Sequence, residues 1–205
     1  MNVRKTMAMM LVCGGMLVAT GSIRAGDPHH AHAEIGKAAP AIELLGIDGK
    51  TYKLSDFKGK VVVLEWTNHN CPFVKRAHKA KLMKETLAKF AGKPVAWMAI
   101  DSTETCADQV ADIKAWAKEN GIDYPILLDP SGRVGHAYGA LTTPHMFIID
   151  QKGNLAYTGA VDDEYEEDGD GSRNYVAQAV TALLKGSTVP LARTKSHGCS
   201  VKYKK

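Results

Sequence analysis

The sequence predicts an α/β protein in which a central mixed sheet carries helices on both faces. Two continuous apolar runs, residues 61–66 and 95–100 (VVVLEW and VAWMAI), are typical of strands that are buried on both sides. Each run is followed by a segment whose apolar residues recur at helical spacing. This alternation is the pattern of a layered α/β domain, and a hydrophobic content of 45% is sufficient to build its core.

The first half of the domain is predicted to begin with a β-hairpin. Residues 41–54 alternate loosely between apolar and polar around Asp48-Gly49, a pair that favours a hairpin turn. Residues 54–60 predict a tight turn or a short helix. Pro72 suits the first turn of a helix, because that position needs no backbone N–H. One helix is predicted over 72–90, with an apolar face of Ala77, Ala80, Met83, Leu87 and Phe90.

The second half continues the alternation as far as a last helix. The predicted elements are a helix at 107–119, a strand at 126–129, a short helix at 132–140, a hairpin at 145–150 and 154–159, and a helix at 173–185. The acidic run at 162–170 predicts a solvated loop. The domain therefore spans residues 39–185. Residues 186–205 show no clear element and are predicted to be a C-terminal tail that can fold back over the sheet edge.

The N-terminus has the pattern of a secretory signal peptide. Arg4 and Lys5 precede an apolar segment that is short for a membrane span, and small residues offer cleavage sites after Ala25 or at 31–33. We expect a signal peptide at 1–25, export to the periplasm or another extracytoplasmic compartment, and no stable membrane insertion after cleavage. An uncleaved anchor is the alternative. Residues 26–38 are predicted to be a linker that contains His29, His30 and His32.

The charge distribution gives no indication of a nucleic-acid partner. The formal net charge is +4, but residues 1–25 carry three positive charges and no acid, so the remainder is close to neutral at +1. The cysteines are more informative. Without the signal peptide, Cys71, Cys106 and Cys199 remain, and an odd number of cysteines in an oxidising compartment leaves a free thiol or an intermolecular bond.

Cys71 is the candidate reactive thiol because it lies between a predicted buried strand and the start of a predicted helix. The unpaired N–H groups and partial positive charge at a helix N-terminus stabilise a thiolate, and His69 can add to this effect when it is protonated. Such settings lower a cysteine pKa from about 8.5 into the range of roughly 3.5–7.5. We expect Cys71 to be partly exposed and reactive; the alternative is an inert buried cysteine.

Four ordered motifs resemble those of bacterial peroxiredoxin-like redoxins that have a single active-site cysteine. They are EWTN…CPFV at 65–74, TPHMF at 143–147, GAVDD at 159–163 and GCSVKY at 198–203. The entry segment DGKTYKLSDFKGKVVVLEW also resembles the redoxin branch that includes alkyl hydroperoxide reductases and thiol-specific antioxidants. The resemblance covers about residues 38–203. It implies a thioredoxin-like fold and a thiol-based oxidoreductase.

The resemblance also implies roles for individual residues. Cys71 takes the first position of the thioredoxin Cys-x-x-Cys motif, and Val74 takes the second. Thr143-Pro144 matches a cis-proline that faces the active cysteine and lets the preceding backbone pair with a substrate chain. Glu65 matches a buried acid that assists proton transfer. We expect burial to raise its pKa, as suits a general base, with a purely structural role as the alternative.

The second thiol of the motif is missing, so a mixed disulfide on Cys71 needs another resolving thiol. Cys199, in one of the four motifs, is the first candidate, either close to Cys71 in the resting fold or on a tail mobile enough to reach it. Cys106 is the weaker candidate. A peroxiredoxin places its peroxide-attacking cysteine at the position of Val74, and this departure argues against peroxidase chemistry of the usual kind.

Three functions stay open at this point. The first is a thiol–disulfide oxidoreductase, and the second is a thiol-dependent peroxidase that acts as an antioxidant. The third is a binding protein for copper or zinc that uses Cys71 with His145, His69 or the N-terminal histidines, because thiolate and imidazole suit soft metals. The first two need no cofactor. Their partners are protein or small-molecule thiols, disulfides or peroxides, together with an unidentified electron donor.

Overall fold

A computed structural model describes residues 32–205 of the chain. The predicted signal peptide at 1–25, and His29 and His30 of the linker, lie outside the described residues. The strands are β1 (Glu43–Gly46), β2 (Thr51–Lys53), β3 (Val61–Trp66), β4 (Val95–Asp101), β5 (Ile126–Leu128), β6 (Thr142–Thr143), β7 (His145–Ile149), β8 (Leu155–Gly159) and β9 (Cys199–Ser200). The helices are α1 (Pro72–Lys79), α2 (Leu82–Ala88), α3 (Val110–Glu119), α4 (Arg133–Tyr138) and α5 (Tyr175–Leu184), and a 3-10 turn covers Leu54–Phe57.

Seven strands form one mixed sheet in the order β2-β1-β5-β4-β3-β7-β8. The central strand β3 is parallel to β4 and antiparallel to β7, and β1 and β2 form the predicted N-terminal hairpin. In the β3–β7 register Trp66 lies opposite His145. Since Cys71 follows β3 and Pro144 precedes β7, this pairing brings the two residues to the same end of the sheet.

Helices cover both faces of the sheet, as predicted. On one face, Val62 and Leu64 of β3 belong to a buried cluster with Val134 and Tyr138 of α4. On the other face, the alternate residues Val61 and Val63 pack with side chains of α2 and α5, including Met83, Val176 and Val180. Because successive side chains of a strand point to opposite faces, β3 is buried along its whole length, which explains its unbroken apolar sequence.

The prediction of one helix over 72–90 is wrong, because two helices meet at Lys81, whose φ is +59°. The buried residues explain the break. Val74 and His78 are buried on α1, but the next buried residue, Met83 on α2, is five positions further along. A straight helix of 3.6 residues per turn turns such a position well away from the core. The left-handed residue re-aims the chain so that both helices bury their apolar sides.

The C-terminal tail is ordered along the sheet edge, as the sequence allowed. Its backbone pairs with Thr158 of β8, where the Thr158 N–H donates to the Ala192 carbonyl and the Thr194 N–H donates to the Thr158 carbonyl, both at 3.1 Å. Further on, β9 pairs with β6 in an antiparallel two-stranded sheet. Neither of these two short strands was predicted. Among the described helices, none is long and apolar enough to cross a membrane.

Candidate active site

Cys71 caps the N-terminus of α1, directly before Pro72 in the first turn. Its side chain makes no capping bond, and the thiol instead donates to the Thr143 carbonyl oxygen at 3.0 Å. The Thr143-Pro144 peptide bond is cis and lies beside Cys71, which confirms the geometry expected for this pair. The N-terminus of α1 and the turn before β7 therefore meet at the sulfur atom of Cys71.

Cys199 lies beside the same carbonyl. In the β6–β9 pairing, Thr143 is opposite Cys199 and Thr142 is opposite Ser200. Cys199 packs against the apolar cluster that contains Cys71, and each thiol shifts the pKa of the other. Both cysteines are free thiols in this structure. Of the two arrangements expected for the tail, the fold has the one in which Cys199 is close to Cys71 at rest.

The surroundings of the two thiols shift their pKa values in opposite directions. Burial pushes the pKa of Cys71 upward, but hydrogen bonds from the Thr143 side chain, the Val74 N–H and Cys199 outweigh burial and hold this pKa below its ordinary value. The pKa of Cys199 is raised, first by burial and then by its hydrogen bond and charge interaction with Cys71. Of the pair, Cys71 is therefore the more acidic thiol and the better nucleophile.

The expectation that Cys71 is partly exposed is wrong, because only 4% of the residue is accessible. Two segments that are distant in sequence close over this end of α1. One is β9, which carries Cys199. The other is the acidic loop, whose Tyr165 ring lies 5.4 Å from the Phe73 ring and 5.9 Å from the His197 ring of the tail. The Cys71 sulfur thus has a lowered pKa and is shielded from water.

His69 does not add to this stabilisation. It is buried, accepts a hydrogen bond on Nε2 from the Asn70 side chain at 3.1 Å, and its Nδ1 has no partner among the described residues. Burial lowers the pKa of His69, although Asp112 opposes this effect. His69 is also absent from the groups that lower the pKa of Cys71. The expected assistance from a protonated His69 is therefore wrong.

Glu65 is fully buried on β3, and both of its carboxylate oxygens accept hydrogen bonds. His78 Nε2 donates to Oε1 at 2.9 Å, while the Tyr124 hydroxyl and Trp97 Nε1 donate to Oε2 at 2.9 and 3.2 Å. Burial alone raises the pKa of this carboxyl, but His78 and the other donors outweigh burial and the pKa is lowered. The expected raised pKa is wrong, because the sequence did not reveal these three partners. None of the described hydrogen bonds of Glu65 leads to Cys71.

Cys106, the weaker candidate for the resolving thiol, is in an environment that disfavours thiol–disulfide exchange. It is fully buried, and its thiol donates to the Asp101 carbonyl at 3.3 Å. Burial, reinforced by the charge of Asp101, raises the pKa of Cys106 to about 12. Because only the thiolate attacks a disulfide, this cysteine is unsuited to resolve a bond on Cys71. The geometry favours Cys199 instead.

His145, one of the residues considered for a metal, is already engaged by hydrogen bonds on both ring nitrogens. His145 is buried, its Nδ1 accepts from the Leu141 N–H at 3.2 Å, and its Nε2 shares a hydrogen bond with Thr158 Oγ1 at 3.0 Å. Burial, with the charge of Arg193, lowers the pKa of His145 to about 4, so the ring is neutral. Within residues 32–205 no group of three or more His, Cys, Asp or Glu side chains is arranged to hold a metal ion.

Sequence reasoning missed three contributors to the site. Tyr165 was hidden in an acidic run that was interpreted as a solvated loop, although an aromatic residue among carboxylates is a signal for packing. His78 was not recognised as the partner of Glu65. Gly198 was noted only as part of a motif, although a side-chain Cβ at this position would lie 2.1 Å from the Thr143 carbonyl oxygen. The glycine permits the close approach of the tail to the site.

Residues 35–158 match the AhpC/TSA family, and the chain belongs to this family. Among its curated relatives is the thiol-disulfide oxidoreductase ResA of Bacillus thuringiensis, which is 32% identical over 122 residues, or 60% of this chain and 67% of the relative. A hypothetical protein of Sinorhizobium meliloti superposes with a TM-score of 0.73 at 29% identity, over 83% of this chain and 95% of the other. The thioredoxin domain of a thiol-disulfide oxidoreductase from Bacteroides vulgatus has a TM-score of 0.51 at 23% identity, over 60% and 85%. The expected redoxin family and thioredoxin-like fold are confirmed.

Proposed function

We propose that this protein is a thiol–disulfide oxidoreductase in which Cys71 and Cys199 form the redox pair. The observation that carries this proposal is the pairing of Cys199 with Thr143, which sets the tail thiol beside the Cys71 thiol. The similarity to ResA, a thiol-disulfide oxidoreductase, supports the reaction class. An extracytoplasmic location stays a proposal that rests on the sequence pattern of residues 1–25.

The proposed reaction exchanges one disulfide for another. The Cys71 thiolate attacks a sulfur of a substrate disulfide, so that one substrate thiolate leaves and a mixed disulfide forms on Cys71. Cys199 then loses its proton and attacks the Cys71 sulfur, which releases the second substrate thiolate and leaves a Cys71–Cys199 disulfide. Two electrons pass from the protein dithiol to the substrate. An external thiol reductant restores the dithiol by the reverse exchange.

The remaining site residues position this pair. The Thr143 carbonyl holds the Cys71 thiol, and the turn at Pro144 brings that carbonyl to the helix N-terminus. Glu65 is proposed as a residue that fixes α1 to the sheet through His78. Val74, at the position of the peroxiredoxin cysteine, is fully buried in the core. A protein or small-molecule disulfide is therefore the favoured partner, ahead of a peroxide.

Trapping of the mixed disulfide tests the proposal. Reduced protein is mixed with oxidised glutathione, quenched with acid and analysed by mass spectrometry. In the Cys199→Ser variant we expect glutathione to accumulate on Cys71, because the resolving thiol is missing, whereas the unaltered protein proceeds to an internal disulfide. A Cys106→Ser variant serves as the matched control and should behave like the unaltered protein. If Cys199→Ser accumulates no adduct, or if Cys106→Ser does, the assignment of the pair is wrong.

A further inference from the structure

The backbone edge beside Cys71 is already occupied by the chain's own tail. Thr142 and Thr143 of β6 pair with Ser200 and Cys199 of β9, and the Val201 N–H donates to the Leu141 carbonyl at 3.1 Å. An open strand edge is the place where an extended polypeptide docks, because its N–H and C=O groups are unpaired. Here, three consecutive residues next to the reactive sulfur have their pairing partners within the same molecule.

The tail is held on both sides of β9. Upstream, Thr194 Oγ1 accepts a hydrogen bond from the Ala160 N–H at 2.9 Å and shares one with the Tyr157 hydroxyl at 2.7 Å. Downstream, the Tyr203 hydroxyl donates to the Ala140 carbonyl at 2.8 Å, and the Tyr203 ring stacks on His136 with the centroids 4.0 Å apart. A polypeptide that competes for the edge must therefore displace a strand with anchors at both ends.

Gly198 lets the tail cross directly over the Thr143-Pro144 peptide. Its φ is +149°, and a Cβ at this position would lie 2.1 Å from the Thr143 carbonyl oxygen and 2.7 Å from the carbonyl carbon. Both atoms belong to the backbone and have little freedom to move. Any other residue at position 198 therefore forces the strand away from the site. The methyl group of an alanine at position 198 is therefore expected to separate β9 from β6.

A small cleft lies next to the site, at residues that neighbour Cys71 in the chain or across the turn, although neither Cys71 nor Cys199 lines it. Phe73, Pro144, Tyr165 and His197 line it, and its volume is about 30 Å³, room for one or two waters. Tyr165 is 37% exposed and comes from a surface loop, so a small molecule can enter after a shift of side chains. An extended chain needs the displacement of β9 in addition. A small molecule therefore requires only a movement of side chains, whereas an extended polypeptide also requires the β6–β9 pairing to break.

We propose that the Cys71 site takes low-molecular-weight disulfides and excludes extended polypeptide disulfides as long as β9 is paired. This inference rests on the proposed function. The Cys71 thiolate attacks the small disulfide, one small thiolate leaves, and attack by Cys199 releases the other. Cys199 lies on β9 opposite Thr143, so that the tail supplies the thiol that completes the exchange internally. The protein dithiol is oxidised and one small disulfide becomes two thiols.

Two probes with the same sulfur chemistry test this selectivity. The first is free cysteine in a mixed disulfide with 5-thio-2-nitrobenzoate, and the second carries the same group on the cysteine of an extended twelve-residue peptide. Attack by Cys71 on the cysteine sulfur releases the coloured thionitrobenzoate, which reports the first step alone. All proteins carry Cys199→Ser, so that Cys199 does not react. We expect the small probe to react about tenfold faster or more, since the peptide must first displace the hydrogen bonds of β9.

Opening the edge should remove this preference. With Gly198→Ala added, the rate of the peptide probe relative to that of the small probe should rise about tenfold or more, because β9 no longer pairs with β6. Gly186→Ala is the matched control. It has the same chemical change at a positive φ of +71° in the same tail, with no atom within 4 Å of the added Cβ, and should keep the preference. A chain that ends at Lys195 provides the second way to open the edge.

The outcomes separate the inference from the proposed function. Equal rates for the two probes before the edge is opened overturn the selectivity. So does an unchanged peptide rate both in Gly198→Ala and in the chain that ends at Lys195. Release that persists after Cys71→Ser contradicts the proposed function itself, because Cys71 is then not the attacking thiol. A preference that is present in Cys199→Ser, is kept in Gly186→Ala and is lost when the edge opens supports the inference.

Discussion

At the scale of single residues, Cys71 combines a shielded position with a lowered pKa. Its N-terminal location on α1 was visible in the sequence, because Pro72 marks a helix start after an apolar strand. Its burial was not visible, since the covering residues Tyr165 and Cys199 lie about a hundred residues downstream in segments without a periodic pattern. The partners of Glu65 escaped prediction for the same reason, because Trp97 and Tyr124 come from other elements.

The lowered pKa of Cys71 predicts how its alkylation depends on pH. In Cys199→Ser the rate of carbamidomethylation should rise with pH and then level off. The midpoint of this rise should lie below the ordinary cysteine pKa of about 8.5. Since the folded pKa is the lower one, the thiolate adds to the free energy of unfolding above the unfolded pKa, and this contribution is lost as the pH falls through the folded pKa. Peptide mass spectrometry measures the rate. A midpoint at or above about 8.5 contradicts the thiolate assignment.

Replacement of Glu65 separates a structural role from proton transfer. Glu65→Gln keeps the volume but removes one acceptor from a buried network, so the free energy of unfolding should fall by about 1–3 kcal/mol. The pH midpoint of Cys71 alkylation should stay unchanged, because the hydrogen bonds of Glu65 run to His78, Trp97 and Tyr124. Denaturant unfolding and alkylation on the same samples give both quantities. A shifted midpoint with normal stability favours the proton-transfer role instead.

At the scale of elements, the strongly periodic segments were predictable and the short ones were not. Strand β3 was predicted with its exact bounds, since six buried residues in a row have no other simple explanation. Strands β6 and β9 have two residues each, too few for a periodic signal. Their pairing depends on a tertiary contact through Gly198. The two helices α1 and α2 were merged because the break at Lys81 has no glycine or proline to mark it.

The upstream anchor of the tail gives a prediction about these elements. A Cβ at Gly159 would lie 2.1 Å from Thr194 Oγ1 and 2.8 Å from the Thr194 nitrogen, so Gly159→Ala should push the tail off β8. We expect faster amide exchange at 192–194 and a free energy of unfolding lower by about 1–3 kcal/mol, as for other overpacked sites.

Gly153→Ala is the matched control for this substitution. It also adds a methyl group at a positive φ, in the turn between β7 and β8, but no atom lies within 4 Å of the new Cβ. The control therefore shows the effect of a methyl group at a positive φ, +90° at Gly153 against +149° at Gly159, without a contact to the tail. Unaltered exchange at 192–194 in Gly159→Ala contradicts the anchoring role of Thr194.

At the scale of the whole molecule, the chain combines a redoxin domain with a C-terminal tail that packs beside the candidate site. The order of strands and helices was sufficient to predict an α/β sheet, and the four motifs were sufficient to predict the family. The architecture of the site depends on where the tail runs, and tail residues such as Arg193 and Ser200 have no pattern that fixes their course. The proposed redox pair joins the start of α1 to a strand whose cysteine lies 128 positions further along the chain.

The central claim is that Cys71 and Cys199 form one internal redox pair, and disulfide mapping tests it most directly. Full-length reduced protein is equilibrated with a glutathione redox buffer, quenched by acid, alkylated and digested without reduction. We predict one cross-linked species that joins the peptides of Cys71 and Cys199, with Cys106 recovered as an alkylated thiol. A bond from Cys71 to Cys106, an intermolecular Cys71 dimer, or a Cys71 that stays reduced while Cys199 alone carries glutathione would contradict the account.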